Sequence, residues 1–316
     1  MIYKKTKESL YTGRQSNKLL YLHEKIKCVN LEQDSIASYK KSALGILGYA
    51  CDEGVKRNLG RPGAADAPDT IRKMLAPLSN HFPDSINILD FGNIECHNSQ
   101  LEETQSFSSD KIKQIIDNQI FTCIIGGGHD LGYSHYKGIK KALPNKTIGV
   151  INFDAHFDLR PVEESPNSGT PFYQLMQEYG KDFKYLCLGI QKESNNKELF
   201  DIAKSNQFKH LYNHEFTIDN FSVVSEEIKR FASQVDSIYL TIDMDGFSSA
   251  IAPGVSAPSP LGFDVAIAIR AIEEIFSTKK LIAVDIVELN PKYDIDHCTA
   301  RLAARLIYKI FELKSK

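Results

Sequence analysis

Apolar runs alternate with amphipathic stretches along most of the chain. Short runs rich in β-branched residues predict buried strands, and stretches with apolar residues on one face predict helices. The predicted strands cover residues 43–49, 86–91, 121–125, 147–151, 184–190, 208–212, 238–242 and 280–287. The predicted helices cover the stretch after Pro68 and residues 101–118, 131–142, 196–205, 221–234, 263–276 and 296–313. This alternation predicts an α/β protein with a mostly parallel central sheet between two helix layers.

Three segments lack the alternating pattern. Residues 1–40 are polar and weakly periodic, and we expect them to form an N-terminal arm packed on the domain. Residues 163–170 form a polar loop that could contact a substrate. Residues 250–262 are rich in turn residues and predict an irregular loop. Because no repeat or linker divides the remainder, residues 1–316 are expected to form a single domain.

Composition excludes several classes of protein. With 42% apolar and 25% charged residues, the 316-residue chain can bury a sizeable core. A net charge of −2 without a basic block argues against nucleic acid or a membrane surface as a partner. Neither a signal peptide nor a membrane-spanning run is predicted. The six cysteines are scattered without a C-x-x-C motif, which favours a reducing cytoplasm.

The clearest chemical pattern lies in residues 152–160, N-F-D-A-H-F-D-L-R. Asp154, His156 and Asp158 alternate there, and an extended backbone would direct all three side chains to one side. They follow a predicted strand, and open α/β sheets place their sites at the carboxyl ends of strands. Taken alone, the triplet could equally be a solvated strand end.

Two further segments favour a metal site. Asp243 and Asp245 follow the predicted strand 238–242, and His129 follows a turn of three glycines. Carboxylates and imidazoles without a thiolate favour a divalent ion such as Mn²⁺ over a structural zinc. Six such side chains exceed the needs of one ion, so carboxylates shared between two ions would explain the surplus. The glycines do not have the spacing of a nucleotide-binding loop.

Four motifs in order together resemble the ureohydrolase (arginase and agmatinase) family. They are G-G-G-H-D (126–130), N-F-D-A-H-F-D (152–158), T-I-D-M-D (241–245) and V-D-I-V-E-L-N-P (284–291). The resemblance implies an arginase-like three-layer α/β/α fold and two Mn²⁺ ions per subunit, which together hydrolyse C–N bonds of amidino or guanidino compounds. It implies one ion bound by His129 and Asp158, another bound by His156 and Asp245, and two shared carboxylates, Asp154 and Asp243.

We expect two catalytic carboxylates, of which the resemblance implies the first. Glu288 would face the planar cation of the substrate, although it could instead be a helix-capping or surface residue. In the hydrolysis that we hypothesise, a metal-bound carboxylate, Asp154 or Asp245, passes the proton of the attacking water to the leaving nitrogen.

Within this family the chain is most similar to the formimidoylglutamases, over nearly its full length. The residues that carry this similarity are 11–14, 52–72, 126–130, 158–160, 168–172, 189–195 and 252–258. The resemblance implies a small-molecule substrate, N-formimidoyl-L-glutamate, which would be cleaved to L-glutamate and formamide in histidine degradation. It also leads us to expect a homo-oligomer.

Two positions distinguish this substrate from guanidines. Arginases and agmatinases have a proton-shuttling histidine where this chain has Ser168, and a hydroxyl cannot replace imidazole in that task. Arg160 would bind a substrate carboxylate, which agmatine lacks, unless it only pairs with Glu163 or Glu164. Weaker candidates for binding carboxylates are Arg57, Arg61, Gln191 and Lys192. Alternatives are an agmatinase, an arginase, a guanidino-acid hydrolase, a deacetylase of this fold with one zinc, or a non-catalytic protein that kept the fold.

Overall fold

The computed structural model describes residues 2–16, 18–40 and 43–316. In this part of the chain the strands are β1 Ile2–Lys4, β2 Ile26–Cys28, β3 Ala43–Ala50, β4 Asn87–Glu95, β5 Phe121–Ile125, β6 Ile148–Phe153, β7 Lys184–Ile190, β8 Lys209–Tyr212, β9 Ser237–Asp243 and β10 Leu281–Val287. The helices are α1 Leu22–Lys25, α2 Glu53–Arg57, α3 Ala67–Leu75, α4 Leu101–Asp117, α5 Leu131–Ala142, α6 Pro171–Tyr179, α7 Lys197–Ser205, α8 Phe221–Ser233, α9 Val265–Ser277 and α10 Cys298–Lys314.

All described strands belong to one sheet, in the order β1-β4-β3-β5-β10-β9-β6-β7-β8, with β2 also paired to β4. Every pair is parallel except β1 with β4. Apolar residues of α3, α8, α9 and α10 pack on one face of the sheet, and those of α4, α5, α6 and α7 pack on the other. The expected three-layer α/β/α fold is therefore confirmed.

The central strands have the sequence of strands that are covered on both faces. All residues of β5, β6 and β9 are buried, and their β-branched and aromatic side chains point alternately into the two helix layers. The eight predicted strands are confirmed with shifts of a few residues at their ends. The largest shift is in β4, which continues to Glu95 beyond its predicted end at residue 91.

Several segments contain structure that the pattern did not predict, including the short helix α2. In the expected N-terminal arm, of which residues 1 and 17 lie outside the described part, β1 and β2 add to the sheet by pairing with β4. Both strands have three residues that are only partly covered, so they lack an apolar signal. Helix α6 was also missed. Pro171 stands in its first turn, where proline favours helix initiation, directly after the polar loop.

Among the described residues, no helix combines the length and the apolar character that crossing a membrane requires.

Candidate metal centre

Four adjacent strands at the middle of the sheet supply the site. In spatial order they are β5, β10, β9 and β6, and their carboxyl ends lie at the same edge. The segments after these strands carry the predicted ligands and Glu288. The parallel register thus brings together side chains that are far apart in sequence, as expected for a site at the strand ends of an open α/β sheet.

The first group of ligands surrounds the imidazole of His129. Its Nδ1 atom lies 3.2 Å from a carboxylate oxygen of Asp154 and 3.0 Å from oxygens of both Asp158 and Asp243. The four donor atoms lie within 4.8 Å of one another. Although Nδ1 is buried, none of these contacts has the geometry of a hydrogen bond. Three oxygens that converge on one nitrogen in this way fit a shared cation.

The second group consists of Asp154, His156 and Asp245. Nδ1 of His156 lies 3.4 Å from Asp154 Oδ1 and 3.3 Å from Asp245 Oδ1. Asp245 Oδ1 is buried without a hydrogen-bond partner. Because Asp154 belongs to both groups, it is placed to bridge two ions. Asp243, the other carboxylate expected to bridge two ions, belongs to the His129 group and not to the second group.

The backbone around the ligand triplet is curled, so the expectation of an extended segment is wrong. Strand β6 ends at Phe153, and Asp158 has a positive φ of 49°. The Asn195 side chain fixes the curl by accepting a hydrogen bond from Phe157 N and donating one to Ala155 O. The three ligands still converge, but they do so through this turn and not through strand alternation.

Hydrogen bonds orient the carboxylates before any ion binds. Asp154 accepts one bond at each oxygen, from the amide of His156 at 2.7 Å and from the Asn152 side chain at 2.9 Å. Asp243 Oδ1 accepts from the backbone N–H of Asp245 at 2.8 Å, which directs its other oxygen to His129. Such outer contacts fix ligand geometry and strengthen metal binding.

The glycine turn before His129 is required for a close approach of backbones. Gly126 and Gly127 have φ values of 83° and 76°. A Cβ atom on Gly127 would lie 2.6 Å from the carbonyl oxygen of Tyr49, so only glycine fits. The turn also positions Glu288, because Gly127 O accepts from the backbone N–H of Glu288 and Glu288 Oε1 accepts from the backbone N–H of His129.

The electrostatics show that the cluster is short of positive charge. Burial opposes charging of the His129 and His156 imidazoles, but the neighbouring carboxylates outweigh it and raise both pKa values well above 6.5. Burial and the charge of Asp245 raise the pKa of Glu288 to about 8. The same two causes raise the pKa of Asp243 well above its usual value. Buried carboxylates that raise one another's pKa values through like-charge repulsion are suited to bind cations.

A cavity of about 290 Å³ opens above these ligands. Ligand pockets usually measure ~300–1,000 Å³, so this one suits a small molecule. Its lining includes His156, Asp158, Asp243, Asp245, Glu288, Asn58, Arg61, Arg160, Ser168 and Ser256. Of the predicted substrate-binding residues, Gln191, Arg57 and Lys192 are not part of the lining. Gln191 is buried behind the ligand turn, where its backbone N–H donates to Ala155 O.

Arg160 and Ser168 meet at a third residue, Asn58. The Asn58 amide donates to Ser168 Oγ at 3.1 Å, and its oxygen accepts from Arg160 at 3.4 Å. Arg160 is exposed, and within the described chain it forms no ion pair, either with Glu163 or with Glu164. Its guanidinium therefore has donors available for a ligand.

The other two arginines near the cavity have protein partners. Arg61 donates to the carbonyl oxygens of Val255 at 2.5 Å and Ser256 at 2.9 Å, and it stacks on the Tyr293 ring at 3.9 Å. Arg57 pairs with Glu53 and Glu102 at the outer mouth.

Several residues that shape the site were not predicted as functional. Asn152 and Asn58 lie inside quoted motifs, but nothing in the motif letters shows what an amide side chain contacts. The Thr241 hydroxyl is hydrogen-bonded to His129 Nε2 at 3.0 Å, with a direction that depends on the histidine tautomer. The Tyr185 hydroxyl donates to Phe157 O at 2.9 Å. Only the position of Thr241, two residues before Asp243 on a strand, could have suggested that it faces the site.

The fold and the ligand clusters together match a known class of metal-dependent protein. The sequence profile of the arginase family matches residues 42–312. The chain belongs to the arginase family.

Individual relatives indicate which members of the arginase family this chain resembles. The formimidoylglutamase of Clostridium tetani is 38% identical over 99% of this chain and 97% of its own length. The formimidoylglutamase of Geobacillus thermodenitrificans is 39% identical over 96% of this chain and 95% of its own. Among solved structures, the Trypanosoma cruzi formiminoglutamase with Mn²⁺ is 26% identical, with a TM-score of 0.78 over 89% of this chain and 95% of that one.

Proposed function

We propose that this protein is a formimidoylglutamase, which hydrolyses N-formimidoyl-L-glutamate to L-glutamate and formamide. The observation that carries the proposal is the pair of ligand groups that share Asp154 beneath one cavity, with Glu288 and Arg160 in its lining. Relatives of that name over nearly the full length of the chain support it.

The residues present fit two Mn²⁺ ions. One ion would be held by His129, Asp158 and Asp243, the other by His156 and Asp245, and Asp154 would contact both. Buried nitrogen and oxygen atoms without hydrogen bonds in each group, and the absence of thiolates from both, match a hard or borderline divalent ion. When bound, such a pair supplies a water of lowered pKa that can act as hydroxide near neutral pH.

Glu288 is placed to hold the amidinium end of the substrate. It lines the cavity, and its buried carboxyl has a pKa raised to about 8 by burial and by the charge of Asp245. A cationic N–C–N group beside it would favour the ionised form and donate two parallel hydrogen bonds to the carboxylate oxygens. The substrate carbon would then be fixed above the metal ligands.

Arg160 is placed to bind a carboxylate at the other end of the substrate. It lines both the inner cavity and the adjoining cavity of about 740 Å³ at the mouth. Asn58 holds its guanidinium on one side and the Ser168 hydroxyl on the other, so both can contact the glutamate portion. Arg61 contributes a positive charge to the cavity. Its hydrogen bonds to the carbonyl oxygens of Val255 and Ser256 hold the loop 250–262 in place.

The charge balance favours this substrate. Four aspartates and Glu288 oppose two divalent ions and two guanidinium groups, which leaves one net positive charge before a hydroxide forms. N-formimidoyl-L-glutamate carries two carboxylates and one amidinium, so its net charge of minus one is not repelled by the site. Agmatine, with two positive charges, would be repelled.

Asp245 is better placed than Asp154 to carry the proton to the leaving nitrogen. Both oxygens of Asp154 already accept hydrogen bonds, and its side chain is not part of the cavity lining. Asp245 lines the cavity and has one oxygen without a hydrogen bond. We therefore assign Asp154 to holding the ions and Asp245 to proton transfer.

We also expect the enzyme to form a homo-oligomer in a reducing cytoplasm. Each of the six cysteines is a free thiol, which suits such a compartment. Light scattering of the purified protein would give the oligomeric state.

The direct test is to incubate the Mn²⁺-loaded protein with each of three compounds, measuring glutamate release from N-formimidoyl-L-glutamate and urea release from agmatine and from L-arginine. We expect turnover of the first compound alone. Turnover of agmatine or arginine instead would leave the metal site intact but refute the substrate and the roles given to Ser168 and Arg160.

The Arg160→Gln variant tests the carboxylate contact separately from the metal chemistry. We expect KM to rise about tenfold or more with a smaller change in kcat, because a ground-state charge pair is lost. Arg270→Gln is a suitable control, since Arg270 is exposed and its ion-pair partner is Glu273 on the same helix. An unchanged KM in Arg160→Gln would show that other groups bind the carboxylates.

A further inference from the structure

A chain of buried polar side chains leads away from the metal centre into the core. It starts at His129 and continues through Thr241, Tyr239 and Asp285 to His135. All four residues beyond His129 have no exposed surface. Neither metal binding nor the proposed hydrolysis uses them directly, and burying polar groups costs free energy that an apolar core would avoid.

The sheet register places these side chains in line. Tyr239 and Thr241 are two residues apart on β9 and therefore share a face. Asp285 on β10 is the register partner of Thr241. His135 reaches the same face from α5, where its ring packs 4.3 Å from the Tyr239 ring. Two central strands and one helix thus fix every member of the chain.

The hydrogen bonds in this chain run in one direction. If Nδ1 of His129 binds an ion, Nε2 must carry the proton and donate to Thr241 Oγ1, 3.0 Å away. The Thr241 hydroxyl is then placed to donate to the Tyr239 oxygen, because the two side chains stand two residues apart on the same face of β9. Tyr239 in turn donates to Asp285 Oδ2. The series ends at a buried carboxylate, which can only accept.

His135 holds the terminal carboxylate in place. Its Nδ1 lies 2.6 Å from the same Asp285 oxygen that accepts from Tyr239. The carboxylate is thereby fixed from two elements. A carboxylate behind a metal-binding histidine fixes the tautomer and the ring orientation and makes the ligand more basic. Here two hydroxyl groups carry that influence, and hydrogen bonds in series polarise one another.

We propose that Thr241, Tyr239, Asp285 and His135 are positioning residues that hold His129 with Nδ1 directed at its ion. The proposal rests on the assignment of His129 as a ligand, which belongs to the proposed function. It predicts an asymmetric effect, because the chain reaches, through Thr241, the imidazole of only one ligand group. The ion held by His156 and Asp245 should depend on them much less.

The test is a Mn²⁺ titration of the purified protein, with free Mn²⁺ followed by electron paramagnetic resonance. His129→Ala and His156→Ala identify which binding step belongs to which ligand group. In Tyr239→Phe the chain is cut in the middle while the ring remains. We expect the ion at His129 to bind about tenfold more weakly, as is typical for such outer contacts, and the other ion to change by less than about threefold.

Tyr136→Phe is the matched control. Tyr136 is also a fully buried tyrosine, on α5, and its hydroxyl has no hydrogen-bond partner. The Tyr136→Phe variant should bind both Mn²⁺ ions with the affinities of the wild-type protein. Thr241→Val cuts the chain next to His129 and should reproduce the selective loss, so the test does not depend on the folding of one variant.

Two outcomes would overturn the proposal. They are wild-type affinity for both ions in Tyr239→Phe and Thr241→Val, or an equal loss of both ions. Because the readout is metal binding, a protein that binds two ions but hydrolyses a different substrate would contradict the proposed substrate and leave this inference standing. A wild-type protein that binds no Mn²⁺ would overturn both.

Discussion

Two buried ionic clusters in the described part of the chain differ in how their charges are balanced. One lies beside β4, where Arg72 contacts both oxygens of Asp90 at 2.6 and 2.9 Å. Asp90 also accepts from the hydroxyls of Tyr11 and Thr6, and Arg72 also donates to Asn93. Arg72 and Asp90 are completely buried. In this cluster a cation and an anion meet, and protein groups satisfy them.

The metal centre has the opposite character. Within the described chain, none of its four aspartates forms an ion pair with a lysine or an arginine, and its only basic partners are two imidazoles. Polar atoms of His129 and Asp245 are buried without hydrogen bonds. The comparison shows that burial and charge alone do not identify a functional site. An excess of negative charge, together with unpartnered atoms on the facing side chains, is the ground on which we propose that this cluster binds an external cation.

The largest expected effect comes from removing a carboxylate of the metal centre. Asp243→Asn should lose the ion at His129 and with it the activity, because a neutral amide replaces an anionic ligand. The metal-free variant should be no less stable than the metal-free wild type, since a buried like charge has been removed. Metal analysis, turnover and thermal unfolding check the three points. Two bound ions with normal turnover would refute the ligand assignment.

Removing a carboxylate from the other cluster should have the reverse pattern. Asp90→Ala leaves the Arg72 charge buried without its partner, which should cost about 3–5 kcal/mol of unfolding free energy. The folded fraction should still bind two Mn²⁺ ions, because Asp90 is not part of the metal centre. Urea unfolding and metal analysis measure the two quantities.

Asp69→Ala is the control for this prediction. Asp69 also contacts Arg72, at 3.2 Å, but its side chain is 53% exposed. Exposed ion pairs contribute ~0–1 kcal/mol, so the loss should be small. An equally small loss in Asp90→Ala would show that the buried pair does not stabilise this part of the fold.

The two clusters also differ in how far the sequence predicts them. Asp154, His156 and Asp158 stand in one motif after an apolar run, and the parallel topology explains why they meet Asp243 and His129. The curl that aligns them depends on Asn195, which lies on a loop 38 residues after Phe157. A local sequence pattern carries no information about such a contact. The pattern therefore predicts an extended backbone, which is wrong, although the predicted ligands do come together.

The Arg72 cluster was not predicted because its partners lie in different elements. Arg72 reads as an ordinary polar residue of α3, and Asp90 is a single acidic residue in an apolar strand. Their pairing depends on how α3 packs against the sheet. Strand β1 was missed for the same reason, since its three residues pair with β4 through register and not through an apolar pattern of their own.

The two clusters should respond differently to pH. Without metal, the raised pKa values of His129 and His156 stabilise the fold fully below the usual imidazole pKa of about 6.5, and this contribution is lost as the pH rises through the folded values. Glu288, with a pKa raised to about 8, acts in the same direction, since ionisation is favoured in the unfolded chain. Metal-free protein should therefore lose thermal stability as the pH rises.

Mn²⁺ reverses this dependence, because the ions replace the protons on the imidazoles and bind more tightly as the pH rises. Thermal unfolding between about pH 6 and about pH 9, with a chelator and with excess Mn²⁺, measures both slopes. Arg72 stays charged across this range, because the effect of burial is outweighed by the neighbouring Asp90, which raises the Arg72 pKa, so its cluster should not contribute. Parallel slopes in the two conditions would contradict a proton-for-metal exchange.

The smallest expected effect tests how the arm is attached to the satisfied cluster. Tyr11→Phe removes the hydroxyl that donates to Asp90 at 2.5 Å. A hydrogen bond to a charged group contributes ~1.5–3 kcal/mol to the free energy of unfolding. The loss should lie near the lower end of this range, because Asp90 keeps its bonds to Arg72, Thr6 and Gly92 N. Hydrogen exchange at β1 should rise, because Tyr11 ties this part of the chain to β4.

Tyr136→Phe is again the control, since its buried hydroxyl has no partner and its loss should leave stability and exchange unchanged. Metal binding should be normal in both variants. That result would show that Tyr11, the first residue of the segment 11–14, stabilises the fold and does not act in the active site. A loss of metal or activity in Tyr11→Phe, without a change in exchange at β1, would show instead that the arm acts on the metal centre, and the separation of the two clusters would fail.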